Sequence, residues 1–315
     1  MVDPLTQLGL FLVALGAAIV NGAIGYGFSS IVTPVALLWV TNLVLNPALV
    51  AVEVAVNVTL LVRERRFLPE TFGRSKPVIY GLLPGVIVGT VALALVGTSA
   101  PNTVKLVVYG TLLPLVLIQL IGLRRPIRSE RTAGPLLGAG IGFLYSLTTI
   151  SGPPLAIFWR NQGMSQGEFR CAMATIRTAE ASMTLGTYLV FQAAVGTPFY
   201  TSASLSLIPV FLIAVVIGIP IGTLLLRSFS REYFARVIMA VDGYLVSFGL
   251  GKTLQSLGVV SANGSYAVIA VLFAIITGVA FYALREVTRT DAGPPLGPTR
   301  TGLPTPVPES LPPAR

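Results

Sequence analysis

The chain has 315 residues, of which 54% are hydrophobic and only 10% charged, with a mean hydropathy of +0.82. Soluble domains carry about 25% charged residues, so a soluble globular domain is excluded. The long unbroken apolar runs also exclude a β-barrel, whose strands alternate over about 10 residues. The formal net charge of +9 reads as the marking of cytoplasmic loops by Lys and Arg, not as a nucleic-acid surface. With no histidine and one cysteine, Cys171, there can be no His metal site, no His-based triad or proton relay and no intrachain disulfide.

The N-terminal stretch MVDPLTQ lacks the basic region of a signal peptide, so the first apolar segment is expected to be retained. That segment, Leu8 to Val40, is too long for one upright span and too short for two. Its Gly25–Gly27 break predicts either a hairpin of two half-helices or one tilted, kinked helix. Val44 to Val62 follows and ends at Arg63-Glu64-Arg65-Arg66. Val78 to Val96, mildly broken at Pro84-Gly85, leads through a polar turn (Gly97 to Asn102) into Thr103 to Leu123 and the basic Arg124, Arg125, Arg128 and Arg131.

The second half repeats this order. Gly134 to Trp159 is interrupted by Ser151-Gly152-Pro153-Pro154, and Cys171 to Val195 is a span with several polar residues. Leu205 to Leu226 then runs into Arg227, Arg231 and Arg236, and Val237 to Leu257 and Tyr266 to Leu284 complete the apolar part. From Arg285 the chain is polar and rich in proline, which predicts a disordered cytoplasmic tail.

Basic residues set the expected orientation. The loops at 63–76, 124–131, 160–170 and 227–236, with the tail, hold five, four, two, three and four of the 21 Lys and Arg. Placing these in the cytoplasm makes Gly134–Trp159 enter and return on the cytoplasmic side and Leu8–Val40 on the other. Each half is then a broken hairpin plus three spans, and an odd number of crossings inverts the second copy. The expected fold is an all-α polytopic membrane protein of two inverted-topology repeats with about 8–9 hydrophobic segments. Its divisions are a first repeat (1–131), a second repeat (132–257), an extra C-terminal helix (258–285) and the Pro-rich tail (286–315).

Paired Gly/Pro-interrupted segments in matching positions point to a transporter's binding site. A helix that restarts inside the membrane offers unpaired N–H groups and a positive dipole end, which bind anions. Gly25, Tyr26, Gly27, Ser29 and Ser30 at the first break and Thr149, Ser151 and Gly152 at the second are therefore the candidate substrate-binding residues. The plainer reading is that such glycines serve close helix packing.

Intramembrane charges are costly and mark function. Arg177 is the candidate countercharge, and Glu53, Glu180 and Asp242 are the candidate proton-coupling groups. Arg177 and Glu180 stand three apart and can pair on one helical face, as a packing salt bridge or as part of a substrate site. Asp242 is expected near the cytoplasmic end of its span, in contact with solvent. No P-loop, metal cluster or cofactor motif is present. A passive anion channel keeps the same site without coupling, and a membrane-embedded enzyme would be left with Asp/Glu or Ser/Lys chemistry.

NGAIGYGFSSIVTPVALL in the first half and GAGIGFLYSLTTISGPPLAIF in the second, each followed by a span starting near Ala48 and Arg170, resemble the TauE/SafE sulfite-exporter family, also called toluene-sulfonate-uptake permeases. The resemblance covers Leu8 to about Leu257. It implies a multi-pass permease of the bacterial inner membrane that moves a small sulfur-containing or organic anion such as sulfite or a sulfonate, with the lipid bilayer and, in coupled transport, protons as its only other expected partners. It implies no enzyme activity and leaves the oligomeric state open.

Overall fold

The computed structural model describes residues 2–122, 130–160, 162, 164–225 and 231–291. Among them are eleven α-helices: α1 Pro4–Ile24, α2 Phe28–Ala36, α3 Asn42–Arg63, α4 Leu68–Ser99, α5 Pro101–Ile121, α6 Glu130–Thr148, α7 Gly152–Arg160, α8 Gln166–Val195, α9 Ser202–Leu225, α10 Arg231–Ser256 and α11 Ala262–Asp291. Seven of them (α1, α3, α4, α5, α9, α10 and α11) are long and apolar enough to cross a membrane. The protein is an all-α polytopic membrane protein. The 30-residue α8 is also long enough to cross but fails on composition, because it carries Arg177, Glu180 and four scattered threonines, Thr175, Thr178, Thr184 and Thr187. The basic residues at 124, 125, 128 and 227 and the Pro-rich tail from 292 lie outside the described residues.

The broken segments are hairpins with unequal arms rather than two half-helices. α1 is a full 21-residue helix, started by the Asp3 carboxylate, which accepts from the Thr6 N–H at 2.9 Å, and by Pro4 at its first position. It ends at Gly25 (φ 94°), whose N–H closes back on Asn21 O. Gly27 (φ 104°) then turns the chain into the nine-residue α2. Such φ values cost an L side chain about 1–2 kcal/mol, which is why glycines stand there. α2 runs back along α1 until Trp39 lies beside Gly9, where a methyl group on Gly9 would sit 3.5 Å from the indole ring.

The second hairpin opens at the opposite end of α4. Gly134 in the first turns of α6 packs on Pro77, and the ring of Trp159 near the end of α7 lies 5.7 Å from the Arg74 guanidinium. Pro77 and Arg74 both stand in the early turns of α4.

Packing partners exchange between the halves. α1 packs on α9 as α6 packs on α4, while α3 faces α8 and α5 faces α10. Small residues set the closest approaches: a methyl on Gly222 of α9 would overlap the Ile19 carbonyl, and one on Gly85 of α4 would overlap the Ala139 carbonyl. In a bilayer, where lipid competes for apolar surface, this backbone proximity is the main route to tight helix association. Around the breaks, from Ile24 to Asn42, the two halves keep a constant sequence register. Ile24 and Thr148, Phe28 and Gly152, Ala36 and Arg160, and Asn42 and Gln166 are all element boundaries 124 residues apart.

Several expected loops are helix. The basic stretch after Arg63 is reduced to a turn of 3-10 helix at Arg65–Phe67, and Arg74 and Lys76 ride on α4, which passes through Pro77 and Pro84 without ending. The Gly97–Asn102 turn narrows to Ala100. Helix α6 starts at Glu130, just before the expected division at 131, and α11 starts at Ala262 and runs to Asp291.

Candidate functional site

The register brings Glu53 of α3 opposite Arg177 of α8, 124 residues on, where the two helices cross. Both are buried, at 1% and 3% exposure. Arg177 Nη2 donates to Glu53 Oε1 at 2.6 Å. Ser29 Oγ donates to the same oxygen at 2.7 Å, and Tyr145 Oη donates to Oε2 at 2.7 Å. Three donors on one carboxylate replace the water it has lost, and charge-assisted bonds of this kind are the strong ones. The expected Arg177–Glu180 pairing is thus replaced by a pair that joins the two halves. Helical spacing made the local partner plausible, but the packing of α3 on α8 brings the Glu53 carboxylate to 2.6 Å from the guanidinium.

Glu180, fully buried, takes a 2.5 Å hydrogen bond from Ser151 Oγ on Oε2, while its Oε1 has no protein partner. Arg177 Nε is likewise unpartnered. The two breaks are therefore each anchored to a carboxylate, Ser29 to Glu53 and Ser151 to Glu180. The network holds two carboxyl groups and one guanidinium.

The breaks also touch directly. Tyr26 packs on Gly152, where a methyl would come within 3.3 Å of its ring. Thr149 Oγ1 donates to Thr148 O at 2.6 Å and lies 3.1 Å from Thr33 Oγ1, which leaves Thr33 as donor to Thr149. Thr149 has φ 61°, alone among the described non-glycine residues in the left-handed region. It stands in register with Gly25, so a β-branched residue holds the first left-handed position of the second break, a strained arrangement of the kind that concentrates at functional sites, while Ser151, in register with Gly27, does not take up the left-handed backbone.

Beside this network, a small pocket opens between the hairpins, α5 and α10. Tyr26, Gly27 and Ser30 line it from the first break, Pro153 from the second, Gln119 from α5 and Asp242 from α10. Gln119 Nε2 donates to Pro153 O at 2.8 Å. Asp242 is 6% exposed and its Oδ1 has no partner. It sits mid-helix against the pocket, so the expected solvated position near a span end is corrected. α10 begins at Arg231 and buries this turn against the first hairpin.

The ends of the two short helices differ. At α2, Gly27 gives no side-chain cap, and the N–H groups of Phe28, Ser29 and Ser30 have no acceptor within the helix. At α7 the corresponding second and third positions are Pro153 and Pro154, which have no N–H at all. The second break therefore keeps the dipole but loses donors, and only α2 offers an N–H cradle at the pocket. This alters the expectation of two equivalent positive ends.

Of the expected site residues, Tyr26, Gly27 and Ser30 line the central pocket. Ser29, Ser151 and Arg177, with Glu53 and Glu180, form the buried network, and Thr149 and Gly152 make the contact between breaks. Gly25 lines a separate pocket with Arg63, Glu64 and Arg170. Sequence reasoning missed Tyr145 and Gln119. Both are polar groups inside apolar runs, and an inventory of uncharged hydrogen-bonding side chains along those runs would have found them. Among the described residues no cluster of His, Cys, Asp or Glu could hold a metal ion.

A family model described as sulfite exporter TauE/SafE matches residues 10–250, which include both hairpins, α3 to α9 and most of α10. No curated protein and no solved structure gives a match. The matched region is most of the chain and contains the whole network and the central pocket, so this protein belongs to the TauE/SafE family of membrane transporters.

Proposed function

We propose that the protein is a secondary transporter of the bacterial inner membrane that moves a sulfite-like oxyanion or a small sulfonate through the pocket between the two hairpins. The observation that carries this reading is the uncapped start of α2, which opens with Ser30 into the central pocket also lined by Gln119. Free N–H groups at a positive helix end recognise an oxyanion.

In this reading Arg177 is the countercharge, held by Glu53 until an anion and a proton arrive together. Protonation of Glu53 would release the guanidinium towards the anion. Glu180 and Asp242, each with an unpartnered buried oxygen, are the other groups where a proton would balance charge. The coupling ion is then a proton, and the substrate fills the role that the Glu53 carboxylate plays in the empty carrier. Hairpins that open at opposite ends of α4 and packing partners that exchange between halves support two inverted repeats, 1–131 and 132–257, rocking about a shared site, with α11 outside the repeat. The basic end of α3 and α4 is the cytoplasmic face.

The test is sulfite flux into proteoliposomes under an imposed proton gradient. Wild-type protein should transport, and Arg177→Gln should abolish flux while remaining folded as judged by gel filtration. Wild-type flux in that variant would overturn the site.

A further inference from the structure

On the basic face a second, small pocket lies where α1, α3, α8 and α9 converge, lined by Gly25, Arg63, Glu64 and Arg170 among others. Arg170 Nη2 donates to the Ala23 carbonyl at 3.2 Å, which caps the end of α1 and ties the first hairpin to α8. Its Nη1 stands 3.7 Å from Glu64 Oε1. Its Nε is enclosed by protein and has no acceptor.

The internal register supplies a control for this contact. The counterpart of Arg170, 124 residues earlier, is Asn46, and the counterpart of Ala23 is Leu147. Asn46 Nδ2 donates to the Leu147 carbonyl at 2.7 Å. The same tie is thus made in each half, and on the second hairpin a neutral amide makes it at shorter distance. Tying the hairpin needs one N–H. The guanidinium adds a fixed charge and further donors, one of them orphaned, beside a pocket that also holds Arg63. A buried donor without an acceptor costs about 1–3 kcal/mol, and Arg63 and Arg170 both line the pocket, a pairing of the kind that planar recognition of an oxyanion uses.

We propose that the Arg63/Arg170 pocket is a second oxyanion site, at the basic end of the transport route. Its ligand is a small inorganic oxyanion bound by Arg170 and Arg63, and Glu64 is the internal carboxylate that the anion displaces. This rests on the reading of the protein as an anion transporter, and it adds a site distinct from the central pocket.

The experiment is equilibrium binding of radiolabelled sulfite to the full chain in phosphatidylcholine nanodiscs. Wild type should bind two ions per chain in two affinity classes. Arg170→Gln should weaken one class by about tenfold or more, the loss of a charge-assisted hydrogen bond, and leave the other unchanged. Asn46→Ala should leave both classes. Glu64→Gln, which keeps both arginines, should tighten the same class several-fold, and this gain does not depend on how well Arg170→Gln folds. Unchanged binding in both Arg170→Gln and Glu64→Gln would overturn the second site while leaving the transporter reading intact. Absence of any sulfite binding by wild type would overturn both. Loss of the Arg170-dependent class on adding phosphatidylglycerol would assign the pocket to a lipid phosphate and overturn the free-oxyanion assignment.

Discussion

The two hairpins share a backbone plan and differ in chemistry. Each is a long helix, a left-handed turn and a nine-residue helix, with boundaries in constant register. At matched positions stand Gly25 and Thr149, Ser29 and Pro153, Ser30 and Pro154, Asn46 and Arg170, and Glu53 and Arg177. The first half supplies free N–H groups, hydroxyls and a carboxylate, and the second supplies prolines and both arginines. The matched boundaries give the two breaks one backbone plan, while their side chains set one guanidinium, Arg177, against one carboxylate, Glu53, where α3 meets α8. A perfectly symmetric chain would place two like charges opposite each other where α3 crosses α8, at a cost of several kcal/mol.

The largest expected effect comes from breaking that crossing. Arg177→Gln leaves Glu53 buried with two of its three donors and should destabilise by about 3–5 kcal/mol, read as a lower melting temperature in detergent. Because the two positions are equivalent in the repeat, the exchanged pair Glu53→Arg with Arg177→Glu should recover most of that stability but not sulfite flux. An exchange as unstable as the single variant would show that Ser29 and Tyr145 fix the polarity of the pair.

The tight helix contacts come next. Gly222→Ala should cost about 1–3 kcal/mol through overpacking against α1, with a similar cost for Gly85→Ala against α6. A large difference between them in thermal unfolding would mean that one half relaxes where the other cannot.

The turns differ by less. Gly25→Thr should lose about 1–2 kcal/mol from its left-handed backbone, whereas Thr149→Gly trades relief of the same strain against the Thr33 contact and should melt close to wild type. The smallest effect is a gain. Pro154→Ser restores an N–H at the start of α7 and should tighten sulfite binding by a few-fold, on the order of one modest hydrogen bond. No change by calorimetry would mean that the anion engages α2 alone.

Much of this was legible without coordinates. The two Gly/Pro breaks and the burial of Glu53, Arg177, Glu180 and Asp242 follow from residue chemistry, because lipid forbids unpaired backbone and makes buried charge conspicuous. The starts of α4 and α5 were read too late, at Val78 and Thr103 instead of Leu68 and Pro101, because polar first turns read as loop when only apolar runs are counted. The sequence by itself determined an all-α membrane protein, its two broken segments and the residues too costly to be accidental, since each depends on local composition. Tertiary structure alone decided that Arg177 pairs with Glu53 rather than Glu180, that Asp242 faces a pocket, and that Arg170 ties a hairpin matched by Asn46. Those depend on which helices cross, and packing over more than a hundred residues of separation leaves no trace in local spacing.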